Sequence, residues 1–343
     1  MNGISRRDFM KTAGMAALGL SFAGLSGLAA GCGGAKAADG KTTTAAKASA
    51  AEAPAAGKSK VYFTKHIDAE HLVKLYQKVN AEIQGKVAVK LHTGEPHGPN
   101  ILPRDMVRDF MAQIPGATIV EANVAYGSPR ASTAGHRETL ETNGWTFCPV
   151  DIIDAEGDVN LPVKNGLHLK EVAMGAHLVN YDSLVVLTHF KGHAMGGFGG
   201  SLKNIAIGCA SGKTGKLQVH GVADYGEWVM GELFMELMAD SGKATCDYFG
   251  KQIVFLNVLR RMSVDCDCAG VKAAEPVIPD LGILASTDIL AVDQASCDMV
   301  YARPEKEKHD LVERIESRDG LAQLAAMRKL GMGNPRYEIV PID

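Results

Sequence analysis

The chain has 343 residues, a formal net charge of −3 and a hydrophobic fraction of 46%. This length allows a substantial buried core, and the near-neutral charge shows no basic stripe of the kind that binds nucleic acid. The composition therefore favours a globular protein and excludes nucleic acid as its expected partner.

The first residues resemble an export signal. Residues 5–11, SRRDFMK, match the twin-arginine signature, and residues 12–35 carry no charged side chain. We predict that residues 1–32 are a twin-arginine signal, which makes the export machinery a partner and exports the protein from the cytoplasm. A retained membrane-spanning helix is disfavoured because the apolar stretch is rich in glycine and serine.

A cysteine closes this signal. The run LAAGC ends at Cys32 and resembles a lipoprotein cleavage site, although its leucine lies one place further from the cysteine than usual. We predict lipidation of Cys32, which anchors the protein to the outer face of the cytoplasmic membrane or in the periplasm. Cleavage near Ala38 without a lipid is the alternative. Residues 33–58, rich in Ala, Gly, Lys and Thr, are predicted to be a disordered linker.

Residues 59–343 are predicted to form an α/β domain, as one large domain or two lobes, with a mostly parallel sheet and crossover helices. Apolar residues at helical spacing predict helices at residues 68–84, 103–114, 134–141, 175–180, 225–240 and 289–301. Short apolar runs between them predict strands at residues 86–91, 117–122, 147–153, 183–187, 252–258 and 281–284.

Residues 188–220 concentrate chemically active side chains directly behind a predicted buried strand. They include three histidines, four lysines and eight glycines. Strand ends that lead into glycine-rich turns hold ligands in α/β sheets, because glycine lets backbone N–H groups approach a ligand closely. This segment is therefore the predicted site, and a plain solvated loop is the alternative.

Metal-type donors occur in this segment and in a second one. His189 and His193 are four residues apart, and His220 closes the segment. Cys266 and Cys268 are separated by one residue, a spacing that strains a disulfide between them. Imidazole and thiolate together suit zinc or iron. We predict a metal ion, zinc or iron, that draws on some or all of these five residues, with histidines bonded only to backbone carbonyls as the alternative.

The same region predicts an anion site. The run GGSLKN at residues 199–204 is typical of backbone N–H groups and a lysine that open a helix toward an anion. A tight turn that lets the helix and the sheet pack closely is the alternative. Strand ends at one edge of a parallel sheet bring further polar groups together. The predicted residues for binding a small anionic ligand are Lys90, Arg130, Gly199, Gly200, Asn204 and Lys213, and the predicted catalytic residues are His92, His136, Lys203 and Asp293.

Several of these segments occur together in one known family. HFKGH, GFGGSLKN, IGCASGKTGK and a closing His220, followed by DCDC at residues 265–268, resemble the family catalogued as domain of unknown function 362, whose members are described as iron–sulfur-associated. The resemblance covers roughly residues 60–300. Many members carry a ferredoxin-like insertion rich in CxxC, whereas residues 221–264 here contain the single cysteine Cys246. A ferredoxin-type iron–sulfur cluster is therefore not supported.

Two functions agree with these patterns. The sequence has no GxSxG elbow, no GxGxxG after an early strand and no P-loop of the required spacing. We expect an exported metalloprotein, an oxidoreductase or other metal-dependent enzyme, acting on a small anionic substrate. The alternative is a lipid-anchored protein that binds a small ligand or a metal without catalysis.

Overall fold

The computed structural model describes residues 57–343, which fall within one compact unit, Ala51–Asp343. The predicted signal, Cys32 and nearly all of the predicted linker lie outside the described residues. Within the described residues, no helix combines the length and apolarity that crossing a membrane requires.

The sheet is built from short strands. In chain order the described strands are β1 (Ser59–Thr64), β2 (Val87–Lys90), β3 (Thr118–Glu121), β4 (Val150–Ile152), β5 (Asp158–Pro162), β6 (Glu171–Gly175), β7 (Ser183–His189), β8 (Lys191–His193), β9 (Gly197–Gly199), β10 (Ile253–Leu259), β11 (Gly282–Ser286) and β12 (Tyr337–Pro341). Eight of them form one sheet in the order β12-β1-β11-β10-β7-β2-β3-β4, and two hairpins pair β5 with β6 and β8 with β9. In the large sheet only β11 is antiparallel to its neighbours, β1 and β10. The predicted mostly parallel α/β fold is confirmed.

Helices connect these strands. In chain order the described α-helices are α1 (Ala69–Val79), α2 (Arg104–Met111), α3 (Thr133–Thr142), α4 (Ser201–Gly208), α5 (Gly215–Val219), α6 (Val222–Tyr225), α7 (Gly231–Phe249), α8 (Ile289–Tyr301), α9 (Glu305–Glu316) and α10 (Ala322–Lys329). Short 3-10 helices lie at Asn80–Glu82, Pro129–Ala131, Ala176–Asn180 and Asp267–Lys272.

Both faces of the large sheet are buried. In β7 the side chains of Leu184 and Val186 join one apolar cluster, and those of Val185 and Leu187 join the other. Helices α4, α7 and α8 contribute to the first cluster, and α1 and α2 to the second. A parallel strand covered on both sides reads as a continuous apolar run, which explains why β7 was evident in the sequence.

One predicted helix has the wrong bounds. The prediction at residues 225–240 begins too early, because the chain turns at Gly226 and Gly231, whose φ angles of 74° and 66° lie in the left-handed region. The helix α7 begins only at Gly231 and continues to Phe249. By contrast, α8 has the predicted bounds.

The direction of the strands positions the site. Strands β2, β3, β7 and β10 are parallel to one another, so their carboxyl ends meet at one edge of the sheet. Lys90, Glu121 and His189 are the last residues of β2, β3 and β7. This edge therefore collects the polar side chains of segments that are far apart in sequence.

Candidate functional site

Two cysteines and one histidine meet at this edge. Cys266 and Cys268 lie in the segment behind β10, and His193 ends β8. One ligand atom from each of the three residues lies within 4.8 Å of the other two. The structure thus joins one histidine of the glycine-rich segment to both cysteines of the DCDC motif.

Cys266 is surrounded by hydrogen-bond donors. The ammonium group of Lys203 lies 3.7 Å from its sulfur, and His92 also bonds to it. The hydrogen bond from Cys268 and the charges of Lys203 and Lys191 hold the pKa of Cys266 well below that of an ordinary thiol, although burial alone would raise it. The same hydrogen bond and burial raise the pKa of Cys268 well above its ordinary value. The directions of the two shifts favour a thiolate at Cys266 and a thiol at Cys268.

The histidines beside this sulfur are neutral and held by backbone groups. His193 Nδ1 accepts N–H bonds from Met195 at 3.2 Å and from Gly196 at 2.8 Å. Burial, with the nearby charge of Lys203, lowers the pKa of His193 to about 3. His92 Nδ1 likewise accepts the N–H of Gly94 at 2.9 Å, and burial lowers the pKa of its ring.

His189 does not belong to this donor group. Its Nδ1 lies 2.9 Å from a carboxylate oxygen of Asp267, and its Nε2 lies 2.7 Å from the carbonyl oxygen of Arg260. Lys191 also pairs with Asp267, at 3.1 Å. Burial would raise the pKa of Asp267, but the charges of His189 and Lys191 hold it below the ordinary value. Both ring nitrogens of His189 face oxygen atoms, and the structure does not bring this predicted metal ligand into the group of three donors.

His220 is also set apart from the cysteines. Its Nδ1 donates to the carbonyl oxygen of Lys216 at 2.6 Å, and its ring packs between those of Trp228 and Phe234. Burial lowers the pKa of His220 to about 4. His220, also predicted as a metal ligand, is therefore not part of the three-residue donor group.

A buried ion network lies next to the cysteines. The ammonium group of Lys90 donates to the carbonyl oxygen of Leu91 at 2.8 Å, to Glu121 at 3.2 Å and to Asn204 at 3.0 Å. These bonds use all three of its protons. Arg130 pairs with the same Glu121 at 3.1 Å. Lys90 and Arg130, predicted to bind ligand, thus hold a carboxylate of the chain itself.

Two further predicted residues are tied to protein groups. His136 accepts a bond from Arg130 Nε and donates to Asn123, both at 3.2 Å, and burial lowers its pKa to about 3. Asn204 accepts from Lys90 and donates to Thr188 Oγ1 at 2.9 Å, which links β2 to β7. The structure therefore places both residues in support of the site. Lys213, in contrast, is exposed on the loop between α4 and α5.

The start of α4 is bonded to a carboxylate of the chain itself, that of Asp293. Both carboxylate oxygens of Asp293 accept backbone N–H bonds, from Ser201 at 2.7 Å and from Leu202 at 2.9 Å. A Cβ atom at Gly200 would lie 2.5 Å from Asp293, so only glycine fits there. At the helix start next to Gly199 and Gly200, which were predicted to bind an external anion, the structure places the carboxylate of Asp293. Asp293, predicted to be catalytic, is fully buried and bonded to these backbone groups.

Three carboxylates of the site are not among the predicted ligand-binding, catalytic or metal-binding residues. Glu121 ends β3, Asp267 lies between the two cysteines, and Glu95 bonds Arg130 at 3.2 Å. All three are buried against cations from other segments, and charged side chains are rarely buried unless they are paired. Glu121 could have been found from its position at the end of a buried strand. Its partners could not, because they depend on the tertiary structure.

Comparison with known protein families finds one whose model matches this chain. The profile of a family described as "Domain of unknown function (DUF362)" matches residues 87–298, more than half of the chain. The chain belongs to this family. The matched segment of this DUF362 protein contains every site residue described above, from Lys90 to Asp293. No curated protein matches the chain.

Two solved structures are similar to part of this DUF362 protein. The lactate racemase apoprotein from Thermoanaerobacterium thermosaccharolyticum is 13% identical with a TM-score of 0.41, and the match covers 71% of this chain and 57% of that one. A protein from Thermotoga maritima is 13% identical with a TM-score of 0.37, and the match covers 67% and 57% of the two chains. This chain thus spans little more than half the length of either protein. Likenesses this distant carry no conclusion about function.

The three donors of the DUF362 site fit a soft metal ion. Ligand atoms around a tetrahedral zinc ion lie about 3.7 Å apart, given zinc–sulfur bonds of about 2.3 Å. Because each pair of ligand atoms lies within 4.8 Å, these atoms need to move together by at most about an ångström. The lowered pKa of Cys266 favours the thiolate form that ligates a metal, and the pKa of His193 leaves its ring neutral, as ligation requires.

Proposed function

We propose that this DUF362 protein is a metal-dependent enzyme whose zinc or iron ion is held by Cys266, Cys268 and His193. The observation that carries the proposal is the convergence of these three side chains within 4.8 Å from two distant segments. Three protein ligands leave a coordination position for substrate or water, as in catalytic metal sites. The bound metal would supply Lewis-acid or redox chemistry at that position.

The proposed substrate is small and anionic. Lys203 is buried beside Cys266 and its charge faces the sulfur. Once Cys266 ligates a metal, its sulfur shares its charge with the ion, and the ammonium group of Lys203 becomes available to a carboxylate or phosphate. Lys191 stays paired with Asp267 and keeps the surroundings of the sulfur positive. His92 holds its ring beside the same sulfur and is placed to move a proton at Nε2.

Loading with Co²⁺ tests this proposal. The wild-type protein should take up a metal that shows the strong charge-transfer absorbance of a thiolate–cobalt bond, and elemental analysis of protein from the exporting cell should find zinc or iron. The double variant Cys266→Ser/Cys268→Ser should lose this absorbance. Cys148→Ser, which removes a cysteine outside the donor group, should keep it. A wild-type protein without the thiolate band, or a double variant that retains it, refutes the proposal.

One observation favours a second function, thiolate chemistry without a metal. In both His92 and His193, Nδ1 accepts backbone N–H bonds, so the proton of each neutral ring lies on Nε2. An N–H group stabilises a thiolate and is not itself a ligand. In this alternative Cys266 attacks an electrophilic substrate held by Lys203. Metal-free protein whose Cys266 reacts rapidly with iodoacetamide, and which takes up no cobalt, would favour it.

The proposed place of action is outside the cytoplasmic membrane. The support is the SRRDFMK signature and the LAAGC run that ends at Cys32. The double variant Arg6→Lys/Arg7→Lys should leave precursor in the cytoplasm, and Cys32→Ala should release mature protein from the membrane fraction. Normal export of the double variant contradicts the route, and an unchanged membrane fraction for Cys32→Ala contradicts the anchor.

A further inference from the structure

A second group of metal-type donors lies outside the thiol site. One ligand atom each of His66, His71 and Asp343 lies within 4.8 Å of the other two. His66 follows β1, His71 lies in the first turn of α1, and Asp343 follows β12. Since β1 and β12 pair in parallel, with Phe63 opposite Pro341, their carboxyl ends meet and bring these segments together.

The hydroxyl of Thr64 positions two of these donors. It donates a hydrogen bond to the side-chain carboxylate of Asp343. It also accepts the backbone N–H of His66 at 3.1 Å. The second carboxylate oxygen of Asp343 accepts the N–H of Lys65 at 3.2 Å. The carboxylate is therefore oriented by the same short loop that carries His66.

The third donor is oriented by a neighbouring carboxylate. His71 Nδ1 donates to Asp68, with oxygen distances of 2.8 and 3.0 Å. Asp68 is itself held as the N-cap of α1, where it accepts the backbone N–H of His71 at 2.8 Å. The ring proton of His71 is thereby placed on Nδ1, which leaves the lone pair on Nε2. A carboxylate that holds the far nitrogen of a histidine is the usual support of a metal-ligating imidazole.

We propose that His66, His71 and Asp343 form a site for a divalent transition metal of the zinc class, with Asp68 as the positioning residue for His71. The two imidazole rings lie next to each other, with centroids 4.5 Å apart. Two imidazoles and one carboxylate suit zinc, nickel or copper better than magnesium or calcium. His66 and Asp343 are exposed, so the remaining coordination positions are open to water or to an outside ligand.

The site joins the last strand of the sheet to the first helix. A metal bound by Asp343, His66 and His71 connects the segment behind β12 to the loop behind β1 and to α1. Because the ligands are assembled only in the folded chain, metal binding should stabilise the folded state. This role is independent of any chemistry at Cys266.

Calorimetric titration of the full chain with Zn²⁺ tests the inference. The wild-type protein should bind two equivalents, and His66→Gln/His71→Gln should bind one. In the Cys266→Ser/Cys268→Ser background the remaining site should give a cobalt spectrum without thiolate charge transfer. There, Asp68→Asn should weaken Zn²⁺ binding about 10-fold, the range found for residues that orient a ligand.

His309→Gln is the matched control. His309 is an exposed histidine on α9 whose Nδ1 lies 3.1 Å from a carboxylate oxygen of Asp310, and it is not in a three-donor group of the described residues. This variant should keep both equivalents of Zn²⁺. The inference is overturned if His66→Gln/His71→Gln binds as many equivalents as wild type, or if His309→Gln loses as much binding as that double variant. The thiol variants separate its failure from that of the proposed enzyme, since the two sites lose their metal through different substitutions.

Discussion

At the scale of single residues, the decisive side chain is Cys266. Its sulfur is buried, yet Lys203, His92 and Cys268 all donate to it. An isolated buried thiol would have a raised pKa, as burial raises that of Cys209 to about 11. The donors around Cys266 reverse the direction of the shift and favour the thiolate on which both proposed functions depend.

Replacing Lys203 by Met should raise the pKa of Cys266 in the metal-free protein by on the order of one unit, because the substitution removes a full positive charge beside the sulfur. The pH dependence of iodoacetamide alkylation at Cys266, followed by mass spectrometry, measures this pKa. Lys213→Met is the control, since Lys213 is an exposed lysine of the same segment. Equal alkylation profiles for both variants and wild type would show that Lys203 does not stabilise the thiolate.

At the scale of elements, the start of α4 depends on α8. The first N–H groups of a helix have no partner within the helix, and Asp293 of α8 accepts two of them. Burial raises the pKa of Asp293 to about 6, although the hydrogen bonds from the two backbone N–H groups and from the amide of Asn257 lower it. The pair of helices thus forms one structural unit beneath Lys203.

Asp293→Asn should lower the free energy of unfolding by about 1–3 kcal/mol, because the new amide group turns a donor toward one of the two N–H groups and leaves it unpaired. Urea denaturation measures the change. Asp298→Asn, at an exposed position of the same helix, should change stability by only about 0.5 kcal/mol. Similar losses in the two variants would contradict a special role for Asp293.

At the scale of the whole molecule, the described chain buries several neutral histidines. Burial lowers the pKa of His136 and His193 to about 3 and that of His220 to about 4, from an ordinary value of 6.5. Between these values the unfolded chain binds protons that the folded chain does not. The stability contributed by each group is therefore complete above pH 6.5 and is lost as the pH falls toward the folded-state pKa. Asp293 has the opposite sign, because the folded chain keeps its proton up to about pH 6.

The free energy of unfolding should consequently fall between pH 7 and pH 5, by on the order of 2 kcal/mol for each such histidine. His220→Gln should reduce this pH dependence by one histidine's share, as measured by urea denaturation at several pH values. His309→Gln should not reduce it, since Asp310 raises the pKa of His309 and gives it the opposite sign. A pH dependence unchanged in His220→Gln would refute this assignment.

The sequence by itself determined the elements whose signal is local. Strand β7 and helix α1 could be predicted from the sequence. Both give local patterns, because the apolar residues of a buried strand are consecutive and those on one face of a helix recur at a regular spacing. The concentration of histidine, lysine and glycine behind β7 was also visible in the sequence, because these residues lie in one continuous segment. Together with DCDC, this concentration indicated the edge of the sheet at which three of the predicted metal donors meet.

Only the tertiary structure decided which of these side chains are engaged by the protein itself. His189 meets Asp267 from 78 positions away, and Asp293 meets Ser201 from 92 positions away. The site of His66, His71 and Asp343 likewise depends on the pairing of β1 with β12. Such contacts produce no repeating pattern in the sequence, because a hydrogen bond between distant segments constrains only one residue in each segment. The sequence therefore indicated which segments carry the polar side chains. The packing of α4, α8 and the strand ends determined which partner each of these side chains contacts.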